Sequence, residues 1–435
     1  MRDIEKVVVL GANGTMGAGS AEVFAAGGCQ VTLLARSADK AQAGLEAAQG
    51  MAKSSTIGSL MKSGSYDADL EEAVAGADLI FEALAEDMAI KKEFFARVTK
   101  ARQPDSIVAT VSSGLSITEM AAAGDASFAK HFLGIHLFNP PNVIVGTEVI
   151  PHAGTDAALL EPVVSMLEKR FGRVVTVCRD LPAFAGNRVG FKVLNEVAQL
   201  AAEHGVAYID YIVGPYTGRA MPPLATVDLV GLDVHKAIVD NVYENTKDEA
   251  HANFALPGYV QKLIDNGHLG NKTGAVGGFY RRVKENGKNV RYVLDPKSGE
   301  YLPPDRAVVE PVPFIEEISK LHRVGRYREA MKLFVEAKCA EADLARKVIF
   351  GYVSYALNRV GEGEVVREPR DVDRIMGFGF NWAPPTVLVD VIGRSETIAQ
   401  IEKYGLQVPQ VLARASGDGP LFREPNVNIG RFFSA

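Results

Sequence analysis

At 435 residues the chain is long enough for two to four domains of roughly 100 to 200 residues each. Its 47% hydrophobic and 23% charged residues, with 42 glycines and 21 prolines, are those of ordinary folded proteins and exclude collagenous, disordered and coiled-coil classes. A net charge of -6, from 53 acids and 47 bases without a lysine or arginine block, carries no nucleic-acid footprint.

The charged segment Met1–Lys6 runs straight into a short β-branched run, Lys6–Leu10, without the apolar core and cleavage site of a signal peptide. Gly11-Ala12-Asn13-Gly14-Thr15-Met16-Gly17 follows, then an alanine-rich helical stretch to Ala26 and a second apolar strand, Val31–Leu34. This is a β-α-β unit with a glycine turn. The glycines let the backbone turn tightly and approach a pyrophosphate, whose charge meets free amides at the positive end of the helix. The spacing is GxxGxxG, one residue longer than the common GxGxxG. Ala35 stands where an acid would grip the ribose hydroxyls, and Arg36, Ser37 and Lys40 follow it. A carboxylate repels a 2′-phosphate, whereas an arginine and a hydroxyl bond it, so the expected cofactor is NAD or NADP.

A buried strand is expected over Leu79–Leu84, carrying Glu82, with Glu86 and Lys91 at the start of an amphipathic helix. Another, Ile107–Val111, ends at Ser112-Ser113-Gly114; taken alone, the serine pair reads as the cap of a helix over Ile117–Ala123. Lys130–Leu137 is a strand with His136 in its apolar centre, followed by a turn through Asn139-Pro140-Pro141. Glu148 lies twelve residues beyond His136 in a further strand, Gly146–Ile150. A histidine in a strand is ordinarily a core residue. A carboxylate within reach changes that reading, because it fixes the imidazole tautomer needed to remove an alcohol proton.

From Pro182 onward the pattern turns helical, with a long helix over Asn187–His204, headed by Asn187, and another beginning at Ile209. Pro222-Pro223 to Asp228 and Gly231 recurs as Pro384-Pro385 to Asp390 and Gly393, a displacement of 162 residues, and an acid precedes each copy, Asp210 and Asp373. A duplicated helical domain is expected, joined by hairpin-like chain over Arg281–Pro304 with turns at Asn286-Gly287 and Lys297-Ser298-Gly299. The second copy lacks a histidine partner and a nucleotide turn and reads as structural. Phe378, Phe380 and Trp382 read as core, the alternative being an acyl tunnel, and Phe432-Phe433 also reads as core. Cys29, Cys178 and Cys339 form neither a CxxC pair nor a metal-ligand spacing, so no metal is expected and the thiols read as reduced and inert. No apolar stretch reaches the about 18 residues that span a bilayer, and a cytoplasmic chain without a membrane partner is expected.

In this order the motifs resemble the L-3-hydroxyacyl-CoA dehydrogenases, in particular the dehydrogenase part of multifunctional fatty-acid β-oxidation proteins. The resemblance covers nearly the whole chain. It rests on Gly11–Gly17; Phe81-Glu82-Ala83 with Glu86 and Lys91; Ser113-Gly114; His136-Leu137-Phe138-Asn139-Pro140; and Glu148-Val149-Ile150. In the helical half it rests on Asp180-Leu181-Pro182 with Asn187-Arg188, Asp228–Asp233, and Leu269–Gly274. It implies an α/β Rossmann-type dinucleotide-binding domain (residues 1–181) followed by a duplicated all-α 6-phosphogluconate-dehydrogenase-like C-terminal domain, its copies over residues 182–310 and 311–435.

The resemblance further implies interconversion of L-3-hydroxyacyl-CoA and 3-ketoacyl-CoA. His136 is then the general base, paired with Glu148, and Ser113 and Asn187 hold substrate oxygens. Gly11, Asn13, Gly14, Thr15, Met16, Gly17, Arg36, Glu86, Lys91, Asn139 and Lys272 surround the cofactor and the acyl-CoA head. The chain departs from the family in Val111-Ser112, often Asn-Thr, and in Leu137, often Phe; both bear on cofactor and acyl preference. Short relatives dimerise through a single helical domain, so the second copy implies a monomer or a homodimer. A separate enoyl-CoA hydratase and thiolase are the expected functional neighbours. The competing expectations are a β-hydroxyacid or carnitine-type dehydrogenase acting without CoA, and a non-catalytic assembly module.

Overall fold

The computed structural model describes residues 3–414, 419–425 and 427–433. The chain forms two compact units, residues 1–184 with 378–380, and residues 185–377 with 381–435.

The first unit is built on one eight-stranded sheet in the order β3-β2-β1-β4-β5-β6-β7-β8. Its strands are β1 (Lys6–Leu10), β2 (Gln30–Ala35), β3 (Met61–Ser65), β4 (Leu79–Glu82), β5 (Ile107–Thr110), β6 (Phe132–Leu137), β7 (Gly146–Pro151) and β8 (Val174–Val177). β1 to β6 run parallel; β7 turns back antiparallel to β6, and β8 pairs parallel with β7. The central strands β4, β5 and β6 are buried along their whole length, which is why they read as continuous apolar runs without alternation. The strand order reverses between β1 and β4, the place where an open parallel sheet leaves a crevice beyond its carboxyl ends.

Local chemistry sets the helix starts. α1 (Thr15–Ala26) begins at Gly14 without a side-chain cap, whereas Ser37, Ser54, Ser65, Asp87, Ser116, Asp125 and Asp156 each cap the helix that follows them. The cap expected from Ser112-Ser113 belongs instead to Ser116, whose hydroxyl accepts from the Glu119 amide. Lys130 and His131 close a short helix, Ala126–Lys130, so β6 starts two residues later than the sequence pattern suggests.

The second unit is helical, apart from a small antiparallel sheet of β9 (Tyr280–Glu285), β10 (Lys288–Leu294) and β11 (Tyr301–Leu302). The internal duplication is physical. Pro223–Val230 and Pro385–Ile392 are both eight-residue helices that follow a proline and end at a glycine, Gly231 at φ +106° and Gly393 at φ +101°. Asp210 accepts from the Leu224 amide at 2.7 Å and Asp373 from the Thr386 amide at 3.1 Å. Asp228 takes the amides of Phe279 and Tyr280, as Asp390 takes those of Leu421 and Phe422.

Burial pushes the carboxyl of Asp210 up to about 6 and those of Asp228 and Asp373 up to about 7, against the bonds that favour their charge. The two copies also meet at a buried polar junction. Asp248 receives Arg188 at 2.8 Å, Arg359 at 3.1 Å and the Tyr355 hydroxyl at 2.8 Å. The long central helices Gly186–His204 and Ala340–Asn358, 19 residues each, are buried over most of their length.

Candidate active site

At the mouth of β1 the glycines are required by contact. Gly11 holds φ +92°, and a Cβ there would sit 2.1 Å from the Ala83 carbonyl oxygen; one on Gly17 would sit 2.2 Å from the Gly11 oxygen. The turn is closed by the Gly14 amide donating to the Gly11 carbonyl at 3.1 Å, and the Tyr66 hydroxyl accepts from the Gly11 amide at 2.8 Å. Asn13, Gly14 and Thr15 are exposed and Met16 is half-buried at the start of α1, whose first turn carries no acid. An uncapped helix start behind a glycine turn with no side chain to fill it fits a dinucleotide pyrophosphate. At the end of β2, Ala35 is buried and Arg36, Ser37 and Lys40 are exposed. Ser37 also accepts from the Lys40 amide, so one of its lone pairs is already engaged.

Beyond β4 and β5 a buried polar network sets the next two turns. Glu82 receives Lys91 on both oxygens, at 2.8 and 2.9 Å, the Leu84 amide at 2.6 Å and the Thr110 hydroxyl at 2.6 Å. Lys91 is fully enclosed, so its ammonium braces Glu82 and, at 3.5 Å, reaches Glu86. Glu86 in turn accepts the Ser112 hydroxyl at 2.6 Å and the Ser113 amide at 2.8 Å, tying the turn after β5 to the turn after β4. Glu86, Lys91 and Ser113 are therefore brought together as one network.

His136 and Glu148 are register partners across β6 and β7, with Nδ1 of the imidazole 2.6 Å from Oε2 of the carboxylate. Glu148 is fully buried and His136 only 4% exposed. The second carboxylate oxygen lies 3.4 Å from the Cys178 thiol, a donor that the cysteine spacing does not reveal. The imidazole is flanked by the rings of Phe138 at 4.9 Å and Phe184 at 6.0 Å. Phe184 and its neighbour Ala183 hold φ +51° and +61°, a left-handed backbone that costs energy for a bulky side chain.

The loop joining β6 to β7, which carries Asn139, is organised by Arg173. Its guanidinium donates to the Pro141 carbonyl at 2.8 Å, the Thr147 hydroxyl at 3.0 Å and the Ile144 carbonyl. Burial lowers the Arg173 pKa to about 10. Nothing in its local sequence marks it, because its partners are backbone carbonyls about thirty residues upstream.

Two expected site residues fall in the second unit. Asn187 is buried in the first turn of Gly186–His204. Lys272 lies in a short turn, half-exposed, in an ion pair with Asp233. Among the described residues, no helix is long and apolar enough to cross a membrane.

A family model described as 3-hydroxyacyl-CoA dehydrogenase, NAD binding domain, matches residues 6–181, and the 3-hydroxyacyl-CoA dehydrogenase C-terminal domain matches residues 184–282. A relative from Bacillus subtilis, named a probable 3-hydroxyacyl-CoA dehydrogenase, is 30% identical over 347 residues, which cover 78% of this chain and 42% of that protein. The chain thus spans less than half of that relative. The crystal structure of M. tuberculosis FadB2 is 29% identical, with a TM-score of 0.59 over 65% of this chain and 100% of its own. That of 3-hydroxybutyryl-CoA dehydrogenase from Escherichia coli, 23% identical, shares the fold over 95% of this chain and 98% of its own, with a TM-score of 0.68. With both family models matched in order on a dinucleotide-binding sheet and a helical unit, this chain belongs to the 3-hydroxyacyl-CoA dehydrogenase family of oxidoreductases.

Proposed function

We propose that the chain interconverts L-3-hydroxyacyl-CoA and 3-ketoacyl-CoA, with His136 as the proton acceptor and donor and Glu148 as its partner. The observation that carries this reading is the buried 2.6 Å contact between the two, at the edge of the sheet where the carboxyl ends of β4, β5 and β6 gather. An ionised carboxylate only accepts, so Nδ1 donates and Nε2 keeps its lone pair. In oxidation Nε2 takes the proton of the 3-hydroxyl, and Glu148 stabilises the imidazolium that results; in reduction the same atom returns the proton to the 3-keto oxygen.

The nicotinamide dinucleotide, when bound, supplies the hydride acceptor. Gly11, Asn13, Gly14, Thr15, Met16 and Gly17 would hold its pyrophosphate, with Arg36 at the ribose end. Ala35 and Arg36 suit a 2′-phosphate, so either NAD or NADP is accommodated. Ser113, and Asn187 in the second unit, are assigned to the substrate oxygens by their match to the family motifs. Glu86, Lys91, Asn139 and Lys272 are assigned to the cofactor and acyl-CoA head on the same ground. The enclosure of Lys91 supports a bracing role through Glu82 and Glu86. A hydratase supplying the 3-hydroxyacyl thioester and a thiolase consuming the 3-keto product are the reactions this chemistry calls for, and a β-oxidation setting follows.

The test is steady-state turnover with acetoacetyl-CoA, free β-hydroxyacids and carnitine, each with NAD(H) and NADP(H). Turnover confined to the thioester supports the proposal. Turnover of the free acids or carnitine alone moves the activity to a substrate without CoA, and cofactor binding without any turnover favours an assembly module.

A further inference from the structure

Phe378–Phe380 group with the first unit, although Phe378 is the last residue of the helix Pro369–Phe378 in the second helical copy. The fit is close. A Cβ on Gly146, the first residue of β7, would lie 2.5 Å from the Gly379 amide nitrogen, so the two backbones touch two residues before Glu148. Phe378 is buried at 6% exposure, while Phe380 is only partly buried. That ring meets Phe138 edge-on at 5.7 Å, and Phe138 meets the His136 imidazole at 4.9 Å. Directly afterwards Asn381 holds φ +53°.

The duplication supplies a control within the molecule. Displaced by the same 162 residues, the position matching Phe380 in the first copy is Gly218, which has no side chain at all. The helical repeat therefore folds without a ring at this place, and the one at Phe380 is a feature of the second copy alone. An aromatic side chain, half-exposed and joined through one intervening ring to the imidazole, meets the requirement for a wall against which an apolar acyl tail packs.

We propose that Phe380 is a specificity-determining residue: of the two readings its sequence leaves, core and acyl tunnel, it takes the second, and its ring sets the acyl chain length accepted at His136. The proposal rests on the activity proposed above. With Nδ1 held by Glu148, the reacting carbon is approached from Nε2, and in this proposal the acyl carbons beyond it lie against the Phe138 and Phe380 rings, which adjoin the imidazole in turn.

The test compares kcat/KM for acetoacetyl-CoA and for a long-chain 3-ketoacyl-CoA in the wild type, Phe380→Ala, Phe380→Leu and Phe380→Trp. Removing the ring is expected to raise the long-to-short ratio about tenfold, with leucine intermediate, and tryptophan is expected to lower it. Opposite shifts from smaller and larger side chains are a signature that a merely structural role does not give, because disruption lowers both rates together. A ratio that stays constant across the variants overturns the proposal while leaving the activity intact. Absence of turnover of both thioesters by the wild type removes the activity and this proposal with it.

Discussion

Oε2 of Glu148 receives His136 from directly across the antiparallel step between β6 and β7. Register partners in such a pair project to the same face, and a slip of one residue would turn Glu148 to the other face of the sheet. The contact therefore depends on the loop that sets the register, and Arg173 binds that loop at Pro141 and Ile144 and the start of β7 at Thr147.

Arg173→Lys replaces a planar fork with a single ammonium and leaves carbonyls of the loop unmet. The expected result is a loss of about 2 kcal/mol in urea denaturation, from buried acceptors without donors. A fall in kcat should accompany it, with dinucleotide affinity nearly unchanged, since the glycine turn lies on β1. A variant with wild-type stability and kcat would show that the loop holds its register without the guanidinium.

Arg36 is exposed at the end of β2, after the buried Ala35. Arg36→Asp places a carboxylate where a 2′-phosphate would lie and supplies an acceptor for ribose hydroxyls. The ratio of kcat/KM for NADPH to that for NADH is expected to fall about tenfold or more. An unchanged ratio removes the phosphate argument.

The buried acids of the helical unit give a pH dependence with a definite sign. Burial raises the Asp373 carboxyl from 3.8 to about 7, so between those values the folded chain keeps a proton that the unfolded chain releases. Its contribution is complete below the unfolded value and is lost as pH rises through the folded one. Asp373→Asn retains an acceptor for the Thr386 amide without the titration. Between about pH 5 and pH 8 the wild type should lose stability by roughly 1 to 3 kcal/mol more than this variant. Denaturation midpoints that fall equally with pH in both chains would contradict the assignment. Asp228, raised to about 7 in the same way, leaves part of the slope in place.

What the sequence discloses follows from how local each cause is. The glycine turn, the strand cores and the proline-to-glycine helices of the repeat are written in neighbouring residues, and they are readable in order. β3 is not, because Met61-Lys62-Ser63-Gly64-Ser65 has no apolar alternation and is a strand only through its pairing with β2. Val174–Val177 has the residues of a strand but needs β7 beside it. At the site, His136 and Glu148 can be suspected from their strands, whereas their contact follows from the β6–β7 register, and Arg173, which bonds the connecting loop, acts on backbone atoms far away in sequence. The same distance hides Cys178 on Glu148 and Glu86 on Ser112-Ser113. It also hides Phe380, whose place beside Phe138 follows from folding and not from spacing.

Replacing His136 with alanine removes the proposed proton acceptor, and its effect is measured as kcat for acetoacetyl-CoA reduction alongside dinucleotide affinity by titration. A fall in kcat of about a thousandfold is expected, with affinity within about twofold of the wild type. Retention of a tenth or more of the activity by a folded His136→Ala protein would contradict that role, since the proton would then be moving through some other group.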